Sequence, residues 1–92
     1  MIKTWKHKGL ENFFKTGATK GIQTKHAKNL LSMLLALNTA KKPEDLNIPG
    51  YGFHKLKGNR TGTFSIKVNG NWRLTFNFEK QNAILVNYED YH

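Results

Sequence analysis

His54, Arg73, Asp90 and His92 are the side chains of this 92-residue chain best equipped to do chemistry together. Cutting RNA without a metal needs a base to take the 2′-hydroxyl proton and an acid to protonate the leaving oxygen. It also needs cations to hold charge on a phosphorane-like transition state. Histidine can fill either proton-transfer role, because its reference pKa of about 6.5 lies near neutrality. Arg73 supplies permanent positive charge, and Lys55, Lys57 and Arg60 follow His54 closely. A polyanionic partner suits the whole chain: 15 Lys and Arg against 6 Asp and Glu leave a formal charge of +9, which favours phosphate contacts with release of counterions. An anionic membrane is the weaker alternative. The basic residues are spread over helical and strand-like segments and form no single basic amphipathic helix.

Other chemistries fit poorly. With no cysteine there is no thiolate nucleophile, thiolate metal site or disulfide framework. His54, His92, Glu89 and Asp90 have no recognised metal-ligand spacing, and the high positive charge repels a divalent cation. Neither a GxGxxG nor a Walker A run is present to cradle a nucleotide. No stretch approaches the roughly 20 apolar residues of a membrane span, and the lysines of the amino terminus are not followed by an apolar run. The expectation is a soluble cytoplasmic protein of one domain, residues 1–92, acting without metal or organic cofactor and without a membrane partner.

The positioning elements follow from periodicity. Met1 to Lys6 alternates enough for a short strand ended by Gly9, and Leu10 to Lys15 suggests one or two helical turns stopped near Gly17. Gln23 to Asn38 is the clearer helix, with Ala27, Leu30, Leu31, Leu34 and Leu37 at helical spacing. Thr39, Pro43, Asn47, Pro49 and Gly50 break any period between Asn38 and Gly52, which reads as a loop. Beyond it the pattern is strand-like: Phe53 to Leu56; Phe64, Ile66 and Val68 on one face; Trp72, Leu74, Phe76 and Phe78 likewise; then Ile84, Val86 and Tyr88 within Ala83 to Tyr91. Asn69-Gly70 is a hairpin signal of type I′, whose two central residues both need positive φ.

Helices first and hairpin-linked strands afterwards predict an α+β domain, a twisted antiparallel sheet with the N-terminal helices on one face. The opposite face would then be free for function, carrying Asn71, Arg73, Thr75 and Asn77. Simpler roles exist for each candidate. A lone histidine is more often structural, which is how His7 and His26 read. Arg73 could stack on an aromatic ring or join a salt bridge, and Asp90 with His92 could be a polar tail.

The carboxyl-terminal half is more specific. The segments Phe53-His54-Lys55-Leu56-Lys57-Gly58-Asn59-Arg60, Asn69-Gly70-Asn71-Trp72-Arg73-Leu74 and Asn87-Tyr88-Glu89-Asp90-Tyr91-His92 together resemble the HigB-type plasmid-maintenance killer proteins of the RelE/ParE toxin superfamily. The opening Met1-Ile2-Lys3 and Lys6-His7-Lys8-Gly9-Leu10 also fit, so the resemblance spans the chain. It implies a RelE-like fold and a ribosome-dependent endoribonuclease that binds the small ribosomal subunit and cuts mRNA in the decoding site. It implies inhibition by a helix-turn-helix antitoxin of HigA type. On the matching positions it makes His54 and either Asp90 or His92 the acid and base candidates, and Arg73 and Lys57 the phosphate-stabilising cations. Tyr91 becomes a stacking or positioning group and Asn71 a base reader, with Arg60 a further RNA contact. Lys15, Lys20, Lys25 and Lys28 would meet ribosomal RNA backbone.

The chief rival is the other branch of that superfamily, which shares the fold but poisons DNA gyrase. A gyrase binder has no chemical need for the His54, Arg73, Asp90 and His92 set. A non-enzymatic RNA-binding sheet is a third reading, and it expects stacking aromatics on the open face. Here Trp72, Phe76 and Phe78 fall on the core side of the pattern.

Overall fold

His7 starts the first helix, α1 (Lys8–Thr16): its ring Nδ1 accepts the Leu10 N–H at 3.0 Å, one of the donors a helix amino terminus leaves without an internal partner. Gly17 ends it with φ 83°, a left-handed conformation that costs glycine little, and its N–H returns to the Phe13 carbonyl. The computed structural model describes residues 1–91, so His92 lies outside the described residues. After α1 come α2 (Ala27–Thr39), β1 (His54–Lys55), β2 (Phe64–Asn69), β3 (Trp72–Glu79) and β4 (Asn82–Asp90). Short 3-10 turns lie at Thr24–His26, Pro43–Leu46 and Gly58–Arg60. The strands form one antiparallel sheet in the order β1-β2-β3-β4, the α+β meander that the residue pattern predicts.

Helix α2 buries Leu30, Met33, Leu34 and Leu37, a stripe at positions i, i+3, i+4 and i+7, against Ile66, Val68, Leu74, Phe76 and Val86 of the sheet. Each such side chain contributes about 1.5–3 kcal/mol by leaving water. Leu31, expected in this stripe, is exposed, because it stands one residue around the helix from the line Leu30 defines; Met33 fills the place. The 38–52 segment is largely irregular, as expected, but the Pro43–Leu46 turn drives Leu46 fully into the core.

Three details depart from the periodicity reading, each with a local cause. Residues 1–6 make only isolated parallel bridges to β4, Ile2 to Ala83 and Trp5 to Val86, because the edge they meet is interrupted. That interruption is a bulge: Thr75 pairs with Asn87 and Asn77 with Ile84, so β4 holds one extra residue, and Leu85 takes φ 55°. The bulge resets the alternation, and Ala83, not Ile84, faces the core with Val86 and Tyr88. The β2–β3 turn is displaced by one residue from the expected one. Asn69 pairs with Trp72, leaving Gly70 and Asn71 as the two loop residues, and of these only Gly70 has positive φ, at 57°.

The sheet face away from the helices is not fully open. The Gly58–Arg60 turn folds over it, tied down where the Thr63 hydroxyl donates to the Asn77 side-chain oxygen at 2.8 Å. Thr75, expected on an exposed surface, is only 2% exposed beneath this cover.

Candidate active site

The part of that face left uncovered is a cleft of about 200 Å³ lined by Gly52, His54, Leu56, Ser65, Lys67, Arg73 and Tyr91. Register brings these residues together. His54 on β1 stands opposite Ser65 on β2, and Lys67 on β2 stands opposite Arg73 on β3. Tyr91 follows β4, and its N–H donates to the Asn71 carbonyl at 2.7 Å, which prolongs the β3–β4 ladder to the cleft.

His54 is oriented by its own strand entry. Its Nδ1 lies 3.0 Å from the Gly52 carbonyl; a carbonyl can only accept, so Nδ1 carries the proton and Nε2 is left to meet a ligand. In that state Nε2 accepts a proton when the ring is neutral and donates one when it is charged. Arg73 donates from Nη1 to the Gly70 carbonyl at 2.9 Å and to the Trp72 carbonyl at 3.3 Å. The hairpin turn thus holds one end of the guanidinium and leaves the rest of the fork, with its full charge, to the cleft.

The other expected residues are distributed around this centre. Asp90 pairs in register with Trp72 while its neighbour Glu89 pairs with Arg73, so alternation directs Asp90 to the opposite face from Arg73, and it does not line the cleft. His92 lies outside the described residues. Lys57 and Asn71 are exposed and do not line the cleft, Lys57 on the β1–β2 connection and Asn71 in the β2–β3 turn. Arg60 stands behind the cleft with both guanidinium ends on Glu89, Nη1 to Oε1 at 3.1 Å and Nη2 to Oε2 at 2.7 Å. That pairing holds the Glu89 carboxyl below its ordinary pKa, chiefly through the Arg60 hydrogen bond and with help from Thr75, and it raises that of Arg60.

Ser65 and Lys67 are polar residues of this face that the sequence does not single out, and Glu89 enters there only as a rejected metal ligand. The signal was available: with Phe64, Ile66 and Val68 facing the core, Ser65 and Lys67 must face the other way, toward Arg73. Glu89 follows from Tyr88 in the same manner. His26 and His7, read as structural, make structural contacts. His26 is buried on the helix side with Nδ1 hydrogen-bonded to the Tyr88 hydroxyl, and His7 caps α1.

A family model described as RelE-like toxin of type II toxin-antitoxin system HigB matches residues 3–92. This chain belongs to that family. A relative named Endoribonuclease HigB, from Proteus vulgaris, is 45% identical over 92 residues, covering 100% of both chains. Membership in the HigB-like toxins makes the chain one half of a toxin-antitoxin pair, so an antitoxin is its partner. Among the described residues no helix is long and apolar enough to cross a membrane. In this HigB-like chain the cleft presents cations, Lys67 and Arg73, beside an imidazole and a phenol ring, and among the described residues no three His, Asp or Glu side chains are grouped to hold a metal ion.

Proposed function

We propose that this HigB-like toxin is a ribosome-dependent endoribonuclease that cleaves mRNA in the decoding site and so arrests translation and growth. The observation that carries the reading is the convergence of His54, Arg73, Lys67 and Tyr91 on one cleft of a strongly basic chain. In the proposed reaction the 2′-hydroxyl attacks the adjacent phosphate and the 5′ oxygen leaves. Arg73, with Lys67 beside it and Lys57 from the exposed β1–β2 connection, holds the charge that builds on the phosphate oxygens. His54 transfers a proton, as acid or base; of the two carboxyl-terminal candidates for the complementary transfer, Asp90 is directed to the face opposite Arg73, which leaves His92. Tyr91 stacks on or positions a base, and Asn71, at the tip of the β2–β3 turn, reads one. No metal ion enters this scheme.

The antitoxin is proposed to be a helix-turn-helix protein of HigA type, the other partners to be the small ribosomal subunit and its mRNA, and the site of action to be the cytoplasm. The gyrase-poison branch is not favoured, since the family model and the named relative both point to HigB. The test is cleavage of a defined mRNA by purified protein, with and without programmed ribosomes, in excess chelator. Cutting only with ribosomes and undiminished by chelator is the expected result. No cutting under any condition, with growth arrest still seen in cells, would instead place the chain with the gyrase poisons.

A further inference from the structure

Across the polar face, β2, β3 and β4 carry a row of direct cross-strand neighbours: Lys67 opposite Arg73, and Arg73 opposite Glu89. Opposite residues of an antiparallel pair bring their Cβ atoms within about 4.5–5.5 Å, and an arginine facing a glutamate at that range ordinarily pairs with it. Here the two do not pair. Both Glu89 oxygens are taken by the bidentate Arg60 fork, and Oε2 also accepts from the Thr75 hydroxyl. Arg73 donates instead to the carbonyls of Gly70 and Trp72, neutral acceptors that orient it without cancelling its charge. The ion pairs among the described residues are Lys15 with Glu11, Lys55 with Glu44 and Arg60 with Glu89, so neither Lys67 nor Arg73 is compensated.

We propose that Arg60 is a positioning residue that keeps the Glu89 carboxylate off Arg73, so that Arg73 and Lys67 meet the scissile phosphate as uncompensated cations. An arginine suits this task because its planar fork engages both carboxylate oxygens at once. A lysine holds one point and leaves the second oxygen to swing toward Arg73. Arg60 comes from the turn that covers the face, and Glu89 and Thr75 lie beneath it, so the clamp closes as the turn docks through Thr63 and Asn77. The inference rests on the reading of Arg73 as the phosphate-stabilising cation.

The test uses single-turnover cleavage of mRNA on programmed ribosomes, with melting temperatures measured alongside. Arg60→Gln and Glu89→Gln break the same ion pair, so a purely structural role moves both variants alike. The proposal separates them. Arg60→Gln, which leaves Glu89 charged beside Arg73, loses about tenfold to a hundredfold in rate. Glu89→Gln, which leaves nothing to neutralise Arg73, stays within about twofold of the parent. The double variant returns to the Glu89→Gln level. Equal losses in the two single variants, or a double variant no better than Arg60→Gln, overturn the proposal. Should Arg60→Gln not fold, Arg60→Lys serves, with a smaller loss that Glu89→Gln must likewise relieve. Arg73→Ala is the control for the underlying reading. Full activity in that variant sinks the assignment of Arg73, whereas an inactive Arg73→Ala beside equal Arg60 and Glu89 variants sinks the role of Arg60 alone.

Discussion

On the helix side of the sheet, His26 is 1% exposed, edge-on to the rings of Trp72 and Tyr88, with Nδ1 bonded to a Tyr88 hydroxyl that also accepts the Gln23 N–H. On the other side, His54 is exposed at the start of β1, with one nitrogen fixed by a carbonyl, and it lines a cleft together with Tyr91 and two cations. Both arrangements put a histidine near a tyrosine of the carboxyl-terminal segment. They differ in what is left over. His26 is satisfied by its surroundings and stiffens the join between the Thr24–His26 turn and the sheet. Among the described residues His54 retains a nitrogen without a partner beside cations that no carboxylate pairs, the condition for passing a proton to a bound molecule. Residue type does not separate the two; the completeness of the hydrogen bonding does.

Removing each histidine in turn separates the two roles most strongly. His54→Ala should lower ribosome-dependent cleavage by about 10²–10⁴-fold, the usual worth of a positioned acid or base, with an unchanged thermal melt. His26→Ala should shift the melt downward while the folded fraction still cuts. Were His26→Ala instead to abolish cutting at full stability, the division between the two faces would be lost.

The distinction was only half legible in the residues. Alternation in Phe64–Val68 and Trp72–Phe76 is strict enough to orient Arg73, and the order of helices and strands is enough to fix the α+β architecture. What periodicity cannot carry is a phase change. The extra residue at Leu85 moves Ala83 into the core in place of Ile84, and nothing in an apolar run Ala83-Ile84-Leu85-Val86 says where the chain will slip. Nor does a strand pattern reveal that a connection will fold back over a sheet. The burial of Thr75 and the pairing of Arg60 with Glu89 arise from contacts 14 to 29 residues apart in sequence, created only when the Gly58–Arg60 turn docks.

A smaller effect is expected from Tyr88→Phe. The ring stays, stacked on Trp72 at 4.5 Å, but the hydroxyl that serves His26 Nδ1 and the Gln23 N–H is gone. Leaving a buried polar atom unsatisfied costs about 1–3 kcal/mol, to be read by chemical denaturation; an unchanged midpoint would show that water replaces the hydroxyl. Cleavage should be unaffected.

The mildest probe is pH. Burial lowers the pKa of both His26 and His7 from the ordinary 6.5, so in the folded chain they give up protons that the unfolded chain retains. Their stability contribution is complete above pH 6.5 and declines as pH falls from there through the lowered folded values. Melting temperature should therefore drop on acidification from pH 7.5 to 5.5, and His26→Ala should flatten the slope. A melt that rises on acidification would contradict the burial of both rings.

The β2–β3 turn holds the cleft by backbone atoms alone: the Gly70 carbonyl receives Arg73 and the Asn71 carbonyl receives the Tyr91 N–H. A carbonyl is present whatever side chain stands at that position. The scaffolding of Tyr91 is thus separable from the identity of residue 71, whose side chain projects from an exposed turn. Sequence preference at that turn can drift, or be engineered, while the machinery behind it keeps its shape.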